Sequence, residues 1–189
     1  MNLVHQWLCS SKRWRQTVEQ HIVPWTLEGI DLGAQALEIG PGYGAVTEVL
    51  EPRVTHLTCI EIDPKLAARL RTRTAGRNVT VRTENATQTS LPASGFDSAV
   101  CFTMLHHVPS AALQDQLLRE TFRLLRPGAI FAGTDSLTSR SFRLLHLFDT
   151  LTPVDPATFP ARLSVAGFES VRVDVNPWAF RFCARKPKA

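Results

Sequence analysis

The residues that could do chemistry begin in ALEIGPGYGAVTEVL (36–50), where Glu38 precedes three alternate glycines, Gly40, Gly42 and Gly44. Glycine at such positions allows positive φ and removes the Cβ atoms that would keep a ligand off the backbone. A helix-like pattern follows, and the free N–H groups of its first turn serve the same place. The spacing Gly40-x-Gly42-x-x-Ala45 satisfies the loose dinucleotide fingerprint, a weak signal by itself. The triphosphate pattern GxxxxGK[ST] is absent. Glu61 lies at the end of the next apolar run, HLTCIEI (56–62), where a carboxylate can accept hydrogen bonds from both ribose hydroxyls of an adenosine.

The adjacent pair His106-His107 follows a later apolar run and is the candidate general base. Neighbours on an extended segment point opposite ways, so at most one of the two is expected to face a substrate. Packing or capping is the alternative role for both. His146 and Asp149 stand i, i+3 on a potential helix and are expected to form a hydrogen-bonded surface pair. The six histidines show no HExxH or H-x3-H spacing, and Cys9, Cys59, Cys101 and Cys183 lie far apart. Neither a metal site nor a disulfide is expected from such spacing.

The elements that must position these residues alternate. AQALEIG (34–40), HLTCIEI (56–62), NVTVRT (78–83), FDSAVCFT (96–103) and AIFAGTD (129–135) read as strands. Between them AVTEVLE, stopping at Pro52, PKLAARLRTR and SAALQDQLLRETFRLL (110–125) read as helices, the last with Ser110 as N-cap and Pro127-Gly128 behind it. FRLLHLFDTL and PATFPARLSVAG are further helical stretches. FESVRVDV and AFRFCARK are extended, with too few residues between them for a parallel crossover, so an antiparallel hairpin is expected at one edge. The fold class is therefore α/β, a Rossmann-like three-layer sandwich with a seven-stranded, mainly parallel sheet. One domain is expected over 1–189: a helical cap at 1–30, a cofactor core at 34–136, and an acceptor-side segment with the hairpin at 137–189. In the cap, Trp7, Trp14 and Trp25 are apolar anchors and Pro24 a break; they form either core or a lid over the substrate.

Composition narrows the class. The 189 residues, 44% hydrophobic and 20% charged, are those of an ordinary globular chain, and no apolar run is long enough to span a membrane. The N-terminus lacks a signal-peptide layout, so a cytoplasmic location is expected. The net charge of +4 comes largely from scattered arginines such as Arg69, Arg71 and Arg73, and from the tail. Scattered basic residues are the ordinary mark of a solvated face, which makes nucleic acid a minor reading.

Glu61 suits NAD and S-adenosylmethionine equally. Glu38 separates them, because an acid two residues before the glycine turn repels a pyrophosphate but can orient a turn that holds an ammonium group. LEIGPGYG (37–44), CIEIDP (59–64), ENATQTSLPASGFDSAV (84–100), MLHHV (104–108) and LLRPGAIFAGTD (124–135) resemble, in order, the signature segments of class I S-adenosylmethionine-dependent methyltransferases. The nearest resemblance is to the branch acting on small molecules, including quinone- and sterol-type enzymes. It implies that Gly40 and Gly42 approach the methionine part of the cofactor, with Glu38 on its ammonium and Gly44 completing the turn. It further implies Glu61 on the ribose, Ile62 on the adenine face, Asn85 and Ala86 at the adenine edge, and Thr103 and Met104 near the amino-acid moiety. Asn85 departs from the family's usual Asp; an Asn oxygen can still accept from the adenine amino group. The expected reaction is methyl transfer to a small-molecule acceptor, oxygen or carbon before nitrogen, releasing S-adenosylhomocysteine. An RNA methyltransferase, a cofactor-binding fold without catalysis and, more distantly, a dehydrogenase remain as alternatives. The Asn/Asp-Pro-Pro-aromatic loop of base-modifying enzymes is absent, FTMLHHVP standing in its place. Oligomeric state is not legible.

Overall fold

A computed structural model describes residues 3–147 and 149–188. Residues 1 and 2 of the N-terminal helical stretch, Phe148 of FRLLHLFDTL and Ala189 of the tail lie outside the described residues. Seven strands form one sheet: β1 Gln35–Ile39, β2 His56–Glu61, β3 Val79–Thr83, β4 Phe96–Phe102, β5 Leu125–Ser136, β6 Glu169–Val175 and β7 Ala179–Arg185. Their order is β3-β2-β1-β4-β5-β7-β6, parallel except for the two antiparallel pairings of β7. The chain reverses direction across the sheet between β1 and β4, the place where open α/β sheets bind ligands.

Period-two alternation sends each strand's side chains to two separate cores. Leu37, Ile39, Ala99, Cys101 and Phe131 join Leu117 and Leu118 of α6 (Ala111–Leu124) and Phe159 and Leu163 of α8 (Phe159–Val165). Ala36, Leu57, Cys59, Val100 and Ala132 join Ala45 and Leu50 of α4 (Ala45–Leu50) and Ala67 and Leu70 of α5 (Pro64–Arg73). Asp63 caps α5 by accepting from the N–H groups of Lys65 and Leu66, with Pro64 in the first turn. The three layers expected from the sequence are present.

Four local expectations need correction. Pro24 does not break the N-terminal run. After α1 (Leu3–Ser10) and α2 (Lys12–Thr17), a π turn at Val18–Ile22 carries the chain into α3 (Val23–Thr26). Val23 N–H bonds Val18 O, five residues back, and the wider turn accommodates the proline that an α ladder would not. Pro127-Gly128 lies inside β5 rather than ahead of it, beside a register shift opposite Phe96 and Ser98. The last helix before α8, α7 (Arg140–Leu145), stops before His146. Trp7 is no anchor either, being 71% exposed, whereas Trp14 packs on the second core and Trp25 lies under the Arg181 guanidinium, 5.4 Å from its ring centroid.

Gly133 sets how closely β4, β5 and β7 approach the site. A Cβ there would collide with the Cys101 carbonyl and come within 2.8 Å of the Phe182 ring, both inside the sheet core. Gly133→Ala is therefore expected to destabilise the protein by about 2–3 kcal/mol. Gly76→Ala, at an open turn position with φ +77°, should cost only about 1 kcal/mol. Urea unfolding of both variants beside the wild type checks the difference.

Candidate functional site

The carboxyl ends of β1, β2, β4 and β5 open into a cavity of ≈ 580 Å³, within the range of small-molecule sites. Its β1–β2 wall is built from backbone and two acids. Gly40 and Gly42 turn with φ of +68° and +53°. The Glu61 carboxylate accepts from Gly42 N–H at one oxygen and from Asp63 N–H at the other, each at 2.9 Å. One side chain thus ties the turn after β1 to the turn after β2. A carboxylate has about four acceptor sites, so two remain for a ligand's hydroxyls. Beside it Ile62 is 65% exposed, an apolar face left uncovered at the cavity.

Glu38 is 2% exposed and accepts from Thr47 Oγ1 at 2.7 Å and Cys59 Sγ at 3.4 Å. Burial pushes its carboxyl up from 4.5 to about 7 against those hydrogen bonds, with the Glu61 charge adding to the rise. A buried acid poised near neutrality has the right chemistry for an ammonium group, which would draw it to the ionised form. Gly44 does not line the cavity. With φ +73° it caps α4, and a Cβ there would strike Leu70 Cδ1 at 2.6 Å, so this glycine serves the α4–α5 approach.

Asn85 lines the cavity with its amide orientation fixed. Its Oδ1 accepts from Thr87 N–H and Thr87 Oγ1, both at 3.0 Å. The oxygen expected to take an adenine amino group is therefore engaged in the chain's own turn, and the NH2 group is the part that can meet a ring nitrogen. Ala86 lies beside it. Thr103 adopts φ +48°, costly for a β-branched residue, and its N–H bonds Thr134 O at 2.8 Å. The Met104 side chain fills the space against Gly40 that a Cβ would take.

The β4–β5 wall differs most from expectation. Residues Leu105–His107 form a 3-10 turn rather than an extended segment, so His106 and His107 both reach the cavity, ring centroids 4.2 Å apart. Asp135, fully buried at the end of β5, accepts from His106 N–H at 3.0 Å, from Ser136 N–H at 2.7 Å, and from His106 Nδ1. His106 Nε2 is buried with no hydrogen-bond partner among the described residues. His146 is not a surface residue: it is 3% exposed, its ring centroid 5.0 Å from that of His106. Burial holds its imidazole below the usual 6.5. Gln114 of α6 donates to the carbonyls of Leu105 and Thr152, and Thr152 N–H bonds His106 O, which clamps this turn to the segment after His146. Leu8, Cys9, Trp14, Val18 and Ile22 of the N-terminal run line the cavity too.

Asp135 was not singled out in the sequence, and His146 was read there only as half of a surface pair with Asp149. Asp135 carried a usable signal, an acid at the carboxyl end of a buried strand. For His146 no sequence pattern pointed inward.

A doubly wound sheet with a glycine turn after β1 and acids near the ends of β1 and β2 defines a Rossmann-like fold with its cavity at the carboxyl ends of the strands. The methyltransferase-domain family matches residues 37–133, just over half of the chain, and the protein belongs to that family. Among curated relatives, the ubiquinone biosynthesis O-methyltransferase of Xanthomonas axonopodis pv. citri (strain 306) is 31% identical over 116 residues, covering 59% of this chain and 47% of that protein. The chain spans about half the length of the curated relatives it matches. A putative methyltransferase solved with the Haloferax volcanii Trm112 activator shares the fold at TM-score 0.78, 13% identity and 99% coverage of both chains. The N-methyltransferase NodS of Bradyrhizobium japonicum WM9, solved with S-adenosylhomocysteine, does so at TM-score 0.74 and 18% identity over 96% of this chain and 92% of that one.

The pH dependence of Glu38 can be signed. The folded protein keeps a proton on this carboxyl up to about pH 7, whereas the unfolded chain releases it near 4.5. Its contribution to stability is thus present at low pH and is lost as pH rises through that window. Glu38→Gln should therefore stabilise the cofactor-free protein at pH 8 by up to about 3 kcal/mol, with the gain vanishing near pH 4.5. Affinity for S-adenosylhomocysteine should rise between pH 6 and 8 in the wild type and stay flat, and weaker, in the variant. Denaturant melts and calorimetric titrations at three pH values test both.

Proposed function

We propose that the protein methylates a hydroxyl oxygen of a small organic acceptor, converting S-adenosylmethionine to S-adenosylhomocysteine. The observation that carries this reading is that one cavity holds both the Glu38–Gly40–Gly42–Glu61–Ile62 wall and a histidine oriented by a buried carboxylate. Oxygen as the acceptor atom is supported by the ubiquinone biosynthesis O-methyltransferases among the relatives. The roof over that cavity, from the N-terminal run and the segment after β5, lies outside the family match, so acceptor choice resides there.

The roles follow from the chemistry of each group. Glu38 meets the cofactor's ammonium, and the bare backbone at Gly40 and Gly42 admits its methionine part. Glu61 takes the ribose hydroxyls on its remaining lone pairs. Ile62 covers the adenine face, with Asn85 and Ala86 at the adenine edge. Thr103 and Met104 bound the amino-acid end. When bound, the cofactor supplies an electrophilic methyl group on a sulfonium, so alignment alone can contribute up to about 7–11 kcal/mol of the barrier. Asp135 holds the His106 hydrogen on Nδ1, leaving the Nε2 lone pair to draw on the acceptor's hydroxyl, while His107 packs beside it and shapes the acceptor's approach.

Glu61→Ala should lower S-adenosylhomocysteine affinity roughly tenfold to hundredfold, because it removes charge-assisted bonds and unties the glycine turn; unchanged affinity by calorimetry would sink the ribose assignment. Once a screen of hydroxylated small molecules has identified an acceptor, His106→Ala is expected to lower turnover by about 10²–10⁴. Cofactor affinity in that variant should stay within about twofold, and Asp135→Asn should lower turnover in the same direction. Full turnover in His106→Ala would remove His106 from the mechanism.

A further inference from the structure

Three imidazoles meet on one side of the cavity. One ring nitrogen from each of His106, His107 and His146 lies within 4.8 Å of the other two. The ring of His107 is centred 5.3 Å from that of His146. Hydrogen bonds at two of the rings decide where their lone pairs sit. The Asp135 carboxylate accepts at His106 Nδ1, so that nitrogen carries the hydrogen and Nε2 the lone pair. His146 Nδ1 lies 2.8 Å from the Phe142 carbonyl oxygen. A carbonyl only accepts, so His146 too carries its lone pair on Nε2. A ring nitrogen donating to a carboxylate or a backbone carbonyl is the arrangement that orients metal-ligating histidines and raises their basicity.

Aromatic packing accounts for part of the cluster, since Phe142 lies 5.1 Å from the His106 ring and 4.3 Å from the His146 ring. It does not account for His106 Nε2. That side chain is nine-tenths buried or more, yet its outer nitrogen has no hydrogen-bond partner among the described residues. Buried polar atoms are nearly always partnered, so a group of suitable chemistry is expected at that lone pair.

We propose that His106, His107 and His146 bind a divalent transition cation of the zinc class, with the fourth coordination position facing the acceptor cavity. Three nitrogens around a tetrahedral ion at about 2.0–2.1 Å stand about 3.3 Å apart, so a spread of up to 4.8 Å closes by at most about 1.5 Å. An all-imidazole donor set favours zinc, copper or nickel over magnesium or calcium, which prefer oxygen. Asp135 behind His106 supplies the partner negative charge. The inference deepens the proposed function at its acceptor end and rests on that reading only for the ion's use: the His106 lone pair then ligates the ion instead of accepting a proton, an oxygen of the acceptor is the fourth ligand, and the proton that this oxygen loses passes to water. Binding itself is independent of that reading.

The test uses the full chain after treatment with a chelator and exhaustive dialysis. Zn²⁺ is titrated by calorimetry and Co²⁺ by visible absorption. One ion per chain is expected, with tetrahedral Co²⁺ bands. Zinc affinity should fall at least tenfold in each of His106→Gln, His107→Gln and His146→Gln, and by about 10–100-fold in Asp135→Asn, which leaves all three ligands in place. S-adenosylhomocysteine binding by each variant certifies its fold. Absence of Zn²⁺ binding in the wild type, or equal binding in the triple glutamine variant, overturns the proposal. Failure of the wild type to bind S-adenosylhomocysteine would instead strike the cofactor reading, and the zinc result would still stand on its own.

Discussion

The Glu61 carboxylate is the constraint on which the β1–β2 wall of the cavity depends. Its two oxygens take backbone N–H groups from two different βα turns, Gly42 after β1 and Asp63 after β2. Backbone donors at a strand end have no ladder partner, and a carboxylate satisfies them with charge-assisted bonds. The glycine turn therefore does not depend on a ligand for its shape. It is held from the neighbouring strand, and the same acid keeps lone pairs for the ribose proposed to bind there. Preorganisation of this kind lowers the cost of ordering a site around its ligand.

Two further buried acids divide the labour of the cavity, and their surroundings separate them. Glu38 has one hydroxyl and one thiol as partners, and burial raises it to about 7. Asp135 accepts three hydrogen bonds, two of them from backbone N–H groups. The first is poised to respond to an arriving cation and the second to hold an imidazole in one tautomer. β5 carries Asp135 to its place only because Gly133, two residues earlier, lets β4 and β7 close around it. The N-terminal run is anchored over the site from that side of the sheet as well. Arg181 of β7 bonds the Trp25 carbonyl and Glu28 while resting over the Trp25 ring.

Much of this was legible in the chain, and for physical reasons. Apolar runs of strand length bounded by Gly and Pro located all seven strands within a residue or two, save the early start of β5 at Leu125. The short Asn176-Pro177-Trp178 connection required an antiparallel hairpin. The one-residue offset between Glu38 and its neighbours Leu37 and Ile39 already put the acid on the opposite face from the α6 core. Where the reading failed, a local alternative won. A 3-10 turn brought His106 and His107 to one side, and a π turn accommodated Pro24. Gly44 answered a packing demand from Leu70 rather than a ligand. The Asn85 oxygen was taken by its own turn.

By itself the sequence determined the sheet, the glycine turn and the acids at the ends of β1 and β2, because each depends on residues close along the chain and on a period of two or 3.6. Only the tertiary structure decided what stands at the β4–β5 side of the cavity. Asp135 and His146 lie some thirty and forty residues beyond His106, and no local pattern encodes their meeting. It comes from the register of β5 against β4 and from the Gln114 clamp that folds the segment after α7 back onto the His106 turn. Long-range packing of that kind is specified by the shape of the whole core, and a spacing rule along the chain cannot report it.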